Sequence, residues 1–462
     1  MKPISSLRIS MALVALLACA TVLYGKPECS GQSPDGVKKQ MAEFFTGRLA
    51  GEKGVFEDPS PVALADIEQE RKAVWEAWKE ANDGFEEEKL IALEGLASKK
   101  SGSWKLPEEL EAGAVMPYYW GAKGEKPGNG YPLYLYLHGS GPKAHEWSAG
   151  ITLAQRFNDA PSAYFIPQIP NEKQYRWYPR SKQYAWEKLL RLALLSGEVD
   201  PNAVYFFGIS EGGYGSQRMA SFYADYLAGA GPMAAGEPLK NAPAENCRNT
   251  AFSLRTGAND AGFYRNTLTR YTQEEFDRLQ AASPNGFVHQ VELVPDQGHG
   301  FDYSVNTPWL RQYTRNPHPR FVSWENMEMD GRYREGFYNL LVNERSNGDE
   351  SERTYYEMEI DGNDISLRVD LATYEVTEKD PRWGIEMKFA KSYTPATQGK
   401  VTIYLSGELV DLDKKITVSV NGKPAFRGKV ACERRHLVNS CAAFFDPERL
   451  YPAAVEIDLS EL

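Results

Sequence analysis

The segment Ala203-Val204-Tyr205-Phe206-Phe207-Gly208-Ile209-Ser210-Glu211-Gly212-Gly213-Tyr214 decides how the chain is read. Residues 203–207 form an unbroken apolar run with the aromatic and β-branched content of a strand buried on both faces. A helical pattern occupies 214–227, so Gly208-Ile209-Ser210-Glu211-Gly212 is the turn between a strand and a helix. A Gly-x-Ser-x-Gly turn in that setting lifts a serine hydroxyl onto a sharp bend at a helix N-terminus. Gly212 and Gly213 supply the room such a strained backbone needs. Ser210 is the candidate nucleophile.

Outward from this turn, short apolar runs alternate with helical stretches over 104–317. The pattern predicts strands at 114–120, 132–137, 163–167, 203–207, 251–255 and 288–294, and helices at 147–157, 184–195, 214–227 and 273–282. Such alternation implies right-handed crossovers and a mostly parallel α/β sheet with helices on both faces, working at the carboxyl ends of its strands.

A serine at its ordinary pKa is a weak nucleophile and needs a base within hydrogen-bond reach. His299, in Gly298-His299-Gly300-Phe301, follows the last strand on a loop that can carry it to Ser210. Asp260, at the end of Thr256-Gly257-Ala258-Asn259-Asp260, follows the strand at 251–255, and the order Ser, Asp, His suits a carboxylate that orients the imidazole. Asp296 and Asp302 stand nearer His299 in sequence, but neither ends the preceding strand, and both read as loop or capping residues.

Charge that develops on a carbonyl oxygen needs backbone N–H donors. The Glu211 amide is the first by position. The strand at 132–137 runs into His138-Gly139-Ser140-Gly141, where the amide of Ser140 or Gly141 supplies the second and His138 shapes the loop. His145-Glu146-Trp147 and Arg176-Trp177-Tyr178 follow strands on the side where a cleft opens. His145, Trp147, Trp177 and Tyr178 are therefore substrate-binding candidates, with packing over the core as the other reading.

Together, His138-Gly139-Ser140-Gly141, Gly208-Ile209-Ser210-Glu211-Gly212, Asp260 and Gly298-His299-Gly300 resemble the α/β-hydrolase superfamily. Within it the look is nearest to secreted bacterial serine esterases of the polyhydroxybutyrate-depolymerase and feruloyl-esterase type. The resemblance covers about 104–315. It implies hydrolysis of a carboxylic ester through an acyl-enzyme, with no metal or organic cofactor. Glu211 departs from the pattern, since many relatives carry a smaller or neutral residue there; its carboxylate is expected either to disfavour anionic substrates or to face solvent. The tail around Leu409-Val410-Asp411-Leu412-Asp413-Lys414 and Val420-Asn421-Gly422-Lys423 looks like a small β module appended to some such hydrolases, for which the resemblance implies no catalytic role. A serine peptidase of the prolyl-oligopeptidase type would use the same three side chains, but no seven-bladed propeller precedes them. A binding protein on an inactive hydrolase scaffold is the other alternative.

The flanks complete the organisation. Lys2 and Arg8 precede an apolar run at 11–23, shorter than the roughly 20 residues of a comfortable membrane span. Residues 1–25 are expected to be a signal peptide, cleaved after Ala20 or, at Leu16-Leu17-Ala18-Cys19, replaced by a lipid anchor on Cys19. The protein is thus expected to be periplasmic or extracellular. Cys29, Cys247, Cys432 and Cys441 then allow three pairings, of which Cys432 with Cys441 is favoured by short separation. No Cys or His cluster has metal spacing. Residues 26–103, with Ile67, Val74, Trp75 and Trp78 at helical intervals, are expected to pack on the catalytic domain at 104–317. From 318 to 462 the runs 357–360, 365–369, 401–405 and 416–420 alternate apolar with polar, and Asn421-Gly422 signals a hairpin, which predicts an antiparallel β module. The chain of 462 residues has 52 Lys and Arg against 63 Asp and Glu, a net charge of −11. Such a surface repels phosphate backbones and excludes nucleic acid as a partner, leaving a small-molecule or polysaccharide-linked ester.

Overall fold

The apolar runs of the middle of the chain form one nine-stranded sheet in the computed structural model, which describes residues 34–348 and 351–462. The expected signal segment at 1–25 with Cys19, and Cys29, lie outside the described residues. Two helices, α1 (Pro34–Leu49) and α2 (Ile67–Gly84), come first. They are followed by β1 (Glu94–Gly95), β2 (Ser101–Lys105), β3 (Val115–Lys123), β4 (Tyr131–Leu137), α3 (Lys143–Arg156), β5 (Ser162–Pro167), α4 (Arg180–Leu195) and β6 (Val199–Ile209). Then come α5 (Glu211–Phe222), β7 (Gly229–Met233), β8 (Ala251–Gly257), α6 (Arg265–Ala282), β9 (His289–Val294) and α7 (Asn306–Leu310).

The sheet order is β1-β3-β5-β4-β6-β7-β8-β9, with β2 beside β3. The β2–β3 and β3–β5 pairs are antiparallel, and every pair from β5 across to β9 is parallel. Parallel neighbours require long crossovers, which α3, α4, α5 and α6 supply. Strand β6 shows why its sequence reads as continuously apolar. Val204 and Phe206 enter the core on one face, while Ala203, Tyr205 and Phe207 enter the core on the other. Strand β7, Gly229-Ala230-Gly231-Pro232-Met233, was not among the predicted strands. Its small residues have little strand propensity, and the ladders offered by β6 and β8 make it one.

The N-terminal segment meets the α/β core through the stretch after α2, while its two helices meet the C-terminal region. Phe45, Val74 and Trp78 of α1 and α2 close on Leu437, Val438 and Cys441 of the C-terminal region, because apolar helix faces meet there. Contact with the α/β region combines Leu90, Ile91 and Leu93 against its core with polar groups, Arg191 of α4 bridging Asn82 and, at 2.8 Å, Glu87. The helical pattern ends at Gly84, and the chain then runs on to β1.

The C-terminal region contains β10 (Phe321–Asn326), β11 (Gly336–Phe337), β12 (Leu340–Glu344), β13 (Glu352–Asp361), β14 (Asp364–Lys379), β15 (Glu386–Pro395), β16 (Lys400–Leu405), β17 (Ile416–Val420), β18 (Lys423–Gly428), α8 (Arg434–Phe444) and β19 (Ala453–Asp458). One sheet runs β10-β13-β14-β17-β18 with β15 on β14, and the other β11-β12-β16-β19. All pairs are antiparallel except β14–β17, which departs from the purely antiparallel expectation. The two sheets share a core in which Trp324 and Tyr356 meet Ile403 and Val455. Asn421 and Gly422 both hold positive φ, 48° and 78°, as a tight two-residue hairpin requires. Cys432 and Cys441 do not pair; with Cys247 they are free thiols. Cys441 lies two turns into α8 in the core shared with α1 and α2, whereas Cys432 precedes the helix. Among the described residues no helix is long and apolar enough to cross a membrane.

Candidate active site

At the end of β6 the chain turns abruptly into α5. A Cβ at Gly208 would come within 2.4 Å of the Gly212 carbonyl, and one at Gly212 within 1.9 Å of the Leu137 oxygen. Only glycine lets β4, β6 and α5 approach this closely. Ser210 sits at the bend with φ 56° and ψ −114°, a conformation that costs a non-glycine residue about 1–3 kcal/mol and that the surrounding structure must hold. Its amide donates to the Met233 carbonyl across 3.0 Å, and its carbonyl accepts from Tyr214 at 3.0 Å.

The loops after β8 and β9 are stitched together by the Ala258 amide on the Val294 carbonyl, 2.9 Å, and the Asn259 amide on the Gln297 carbonyl, 2.8 Å. This brings Asp260 to His299. Imidazole Nδ1 lies 2.7 Å from Asp260 Oδ2, and Nε2 lies 3.0 Å from Ser210 Oγ. With Nδ1–H donating to the carboxylate, Nε2 is left to accept the serine proton. The other Asp260 oxygen accepts from Arg265 Nη1 at 2.9 Å, so this buried carboxylate is held at both ends. Asp302 instead turns to Ser304, whose hydroxyl and whose amide, at 2.9 Å, hold its carboxyl below the usual range. Asp296 lies exposed in a turn.

Serine after the fifth strand of the β2–β9 run, acid after the seventh, histidine after the eighth, and a mostly parallel sheet whose second strand in that run is reversed: these features settle the architecture. The fold is that of the α/β-hydrolases.

Glu211 opens α5, so its amide has no acceptor within the helix. Ser140 lines the same cleft as Ser210, whereas a Cβ at Gly141 would meet the Glu146 carboxylate at 2.3 Å; of the two residues left open by the sequence, Ser140 is the one in the cleft wall. His138 is fully buried and shapes this loop. Its Nδ1 donates to the Gly139 carbonyl at 2.8 Å and its Nε2 accepts the Ile169 amide at 3.2 Å. Burial pushes its pKa down to about 4, so it is neutral.

The cleft has a volume of about 550 Å³. Of the four substrate-binding candidates, Tyr178 lines it, beneath the Arg218 guanidinium at 3.9 Å. The other three do not. Trp177 is fully buried, its Nε1 donating to the His138 carbonyl at 3.0 Å, because an aromatic placed after a strand can equally turn inward. Trp147 stacks on Tyr119 at 4.0 Å and donates to the Ile166 carbonyl, and His145 lies exposed on α3. Glu211 neither faces solvent nor stands free to repel an anion. It is buried and accepts from Arg176 Nη1 at 2.8 Å. Burial pushes its pKa up to about 7; Arg176 pulls the other way, but with 54% of its side chain exposed its charge is screened by water. Residues that sequence reasoning missed in the cleft are Phe263, Arg265, and Trp383, Glu386 and Phe389 from the C-terminal region. No local pattern could have placed the last three there. Among the described residues no group of three or more His, Cys, Asp or Glu side chains could hold a metal ion.

No protein-family model matches the chain, and none of the curated proteins does. Solved structures that match include a thermostable esterase at 21% identity, covering 47% of this chain and 63% of that one with a TM-score of 0.38. The chain thus spans just under two thirds of that esterase's length. A ferulic acid esterase matches at 15% identity over 46% of this chain and 98% of that one, TM-score 0.34. A poly(3-hydroxybutyrate) depolymerase from Bordetella parapertussis matches at 15% identity over 47% and 88%, TM-score 0.33.

Proposed function

We propose that the protein is a serine hydrolase that cleaves carboxylic esters through an acyl-enzyme. The observation that carries this reading is the unbroken hydrogen-bond chain from Ser210 Oγ through His299 to Asp260, open to a cleft at the serine end. In the first half-reaction Ser210 Oγ attacks the ester carbonyl carbon while its proton passes to His299 Nε2. The tetrahedral oxyanion is met by the amides of Glu211 and Ser140. Collapse breaks the bond to the alkoxy oxygen, which takes the proton from His299 and leaves as the alcohol. A water molecule then repeats the sequence on the acyl-enzyme, giving the carboxylic acid and restoring Ser210. Asp260 holds the imidazole in the Nδ1–H tautomer and stabilises the imidazolium, while Arg265 fixes Asp260.

The test is direct. A fluorophosphonate should label Ser210, located by peptide mass spectrometry, and S210A should lose hydrolysis of p-nitrophenyl acetate by a factor on the order of 10³ or more while keeping its circular dichroism spectrum. Labelling of a different serine, or an S210A variant as active as the parent, would refute the assignment. Peptide 4-nitroanilides assayed alongside separate an esterase from a peptidase.

A further inference from the structure

The tip of the β14–β15 hairpin belongs to the C-terminal region, yet it forms part of the wall of the cleft that holds Ser210. Trp383, at this tip, meets Phe263 of the loop after Asp260, with ring centroids 5.2 Å apart and planes inclined at 46°. Both rings are large, apolar and half in water, with exposures of 52% and 49%. Further along the hairpin, Ile385 and Phe389 continue the apolar lining.

This placement is built at some cost. Phe263 and Tyr264 are successive non-glycine residues with positive φ, 51° and 58°, in a conformation L residues adopt only when held there. The Asp380 carboxylate stands between this loop and the hairpin tip. Burial alone would raise its pKa, but bonds from the Tyr264 hydroxyl and from the amides of Trp383 and Arg382 bring it below the usual range. The Gly384 amide closes the tip on the Asp380 carbonyl at 3.1 Å. This carboxylate thus fixes the turn that carries Trp383 and faces the Tyr264 hydroxyl of the loop that carries Phe263. The pair gains little packing from each other in exchange for this strain, and apolar rings fixed at the mouth of a polar cleft have area left to cover.

We propose that Trp383 and Phe263 form a ring-binding subsite, so that the preferred ester carries a flat apolar ring and the C-terminal region sets specificity at the Ser210 cleft. The inference rests on the reading of Ser210 as nucleophile for its placement beside the scissile bond. The subsite itself rests on the two rings.

Turnover of ethyl acetate, ethyl 3-phenylpropanoate and benzyl acetate, followed by pH-stat, tests it. In W383A the ratio of kcat/KM for the better ring ester to that for ethyl acetate should fall about tenfold, chiefly through KM, and W383Y should restore most of it. A readout that needs no turnover is calorimetric titration with ethyl 3-phenylpropanoate, which S210A should bind about tenfold more tightly than S210A/W383A. An unchanged ratio together with equal binding overturns the subsite, and labelling of Ser210 in the same samples leaves the nucleophile reading standing. If the parent enzyme cleaves no ester and takes no label, but binding still depends on Trp383, the nucleophile reading fails and the subsite stands.

Discussion

Arg449 Nη1 donates to Asp225 Oδ2 across 2.6 Å, and neither side chain exposes any surface. Asp225 follows the helix that begins just after Ser210, whereas Arg449 belongs to the C-terminal region, so this bond joins the two across their interface. Arg334 also reaches Asp225, at 3.1 Å, and Arg449 and Arg315 both reach Asp446, at 2.8 and 2.6 Å. Removing one partner of a buried ion pair strands the others without water. D225N is therefore expected to cost about 3–5 kcal/mol, read from urea denaturation, and to loosen the wall that holds Trp383. The same network sets acid sensitivity. Asp446 is held down to about 2, against a reference near 3.9 when unfolded. Its contribution is full above the unfolded value and is lost as pH falls through about 2, so D446N should show a shallower loss of stability between pH 4 and 2 than the parent.

Arg265 occupies the Asp260 oxygen that His299 leaves free, at 2.9 Å. It is a positioning residue, acting on the imidazole only through the carboxylate. R265A should lower kcat about tenfold with a smaller change in KM for p-nitrophenyl acetate, and R265K should recover part of the loss. A rise in KM with kcat unchanged would show that Arg265 acts on substrate instead.

His138 invites a reading as a second base, since it precedes the turn that carries Ser140. Its ring nitrogens meet Gly139, Tyr175 and Ile169 in a fully buried site, and burial, which pushes its pKa down to about 4, keeps it neutral. H138A would leave the Ile169 amide without a partner beside a cavity, at an expected cost of about 2–4 kcal/mol. The pH profile of hydrolysis should keep its shape. A lost limb in that profile would return His138 to the chemistry.

Which parts of this site were legible in the sequence follows from the range of the forces involved. Ser210, Asp260 and His299 could be read because each follows a strand, and a parallel sheet delivers the ends of its strands to one edge. The same rule left Trp147 and Trp177 open between the cleft and the core, and both pack inward. A residue after a strand can point into the cleft or back to the core, and Trp177 turns back because the His138 carbonyl satisfies its indole N–H. Strand β7 was hidden by its small residues, which pair only because β6 and β8 flank them. Trp383 was beyond reach altogether. Its role depends on how two separately patterned regions dock, and that docking is decided by buried pairs such as Arg449 and Asp225, whose residue types look like ordinary surface charge.

Glu211 shows how a neighbour of the nucleophile can carry a pH signature of its own. In the unfolded chain a glutamate ionises near 4.3, whereas burial in the folded protein pushes Glu211 up to about 7. Below the lower value both states are protonated and the group contributes nothing to pH dependence. Between the two the unfolded chain gives up its proton and the folded protein keeps it, so stability falls as pH rises through this window; above about 7 the difference is constant. With roughly 1.4 kcal/mol per pH unit, the full drop is on the order of 4 kcal/mol. E211Q cannot ionise and should lose this slope. Its Arg176 contact is half exposed and worth at most about 1 kcal/mol, too little to mask the difference. Urea denaturation of parent and E211Q at pH 5 and pH 8 is the measurement: the parent should lose more stability than the variant between the two, and parallel behaviour would mean that Glu211 ionises in the ordinary carboxylate range.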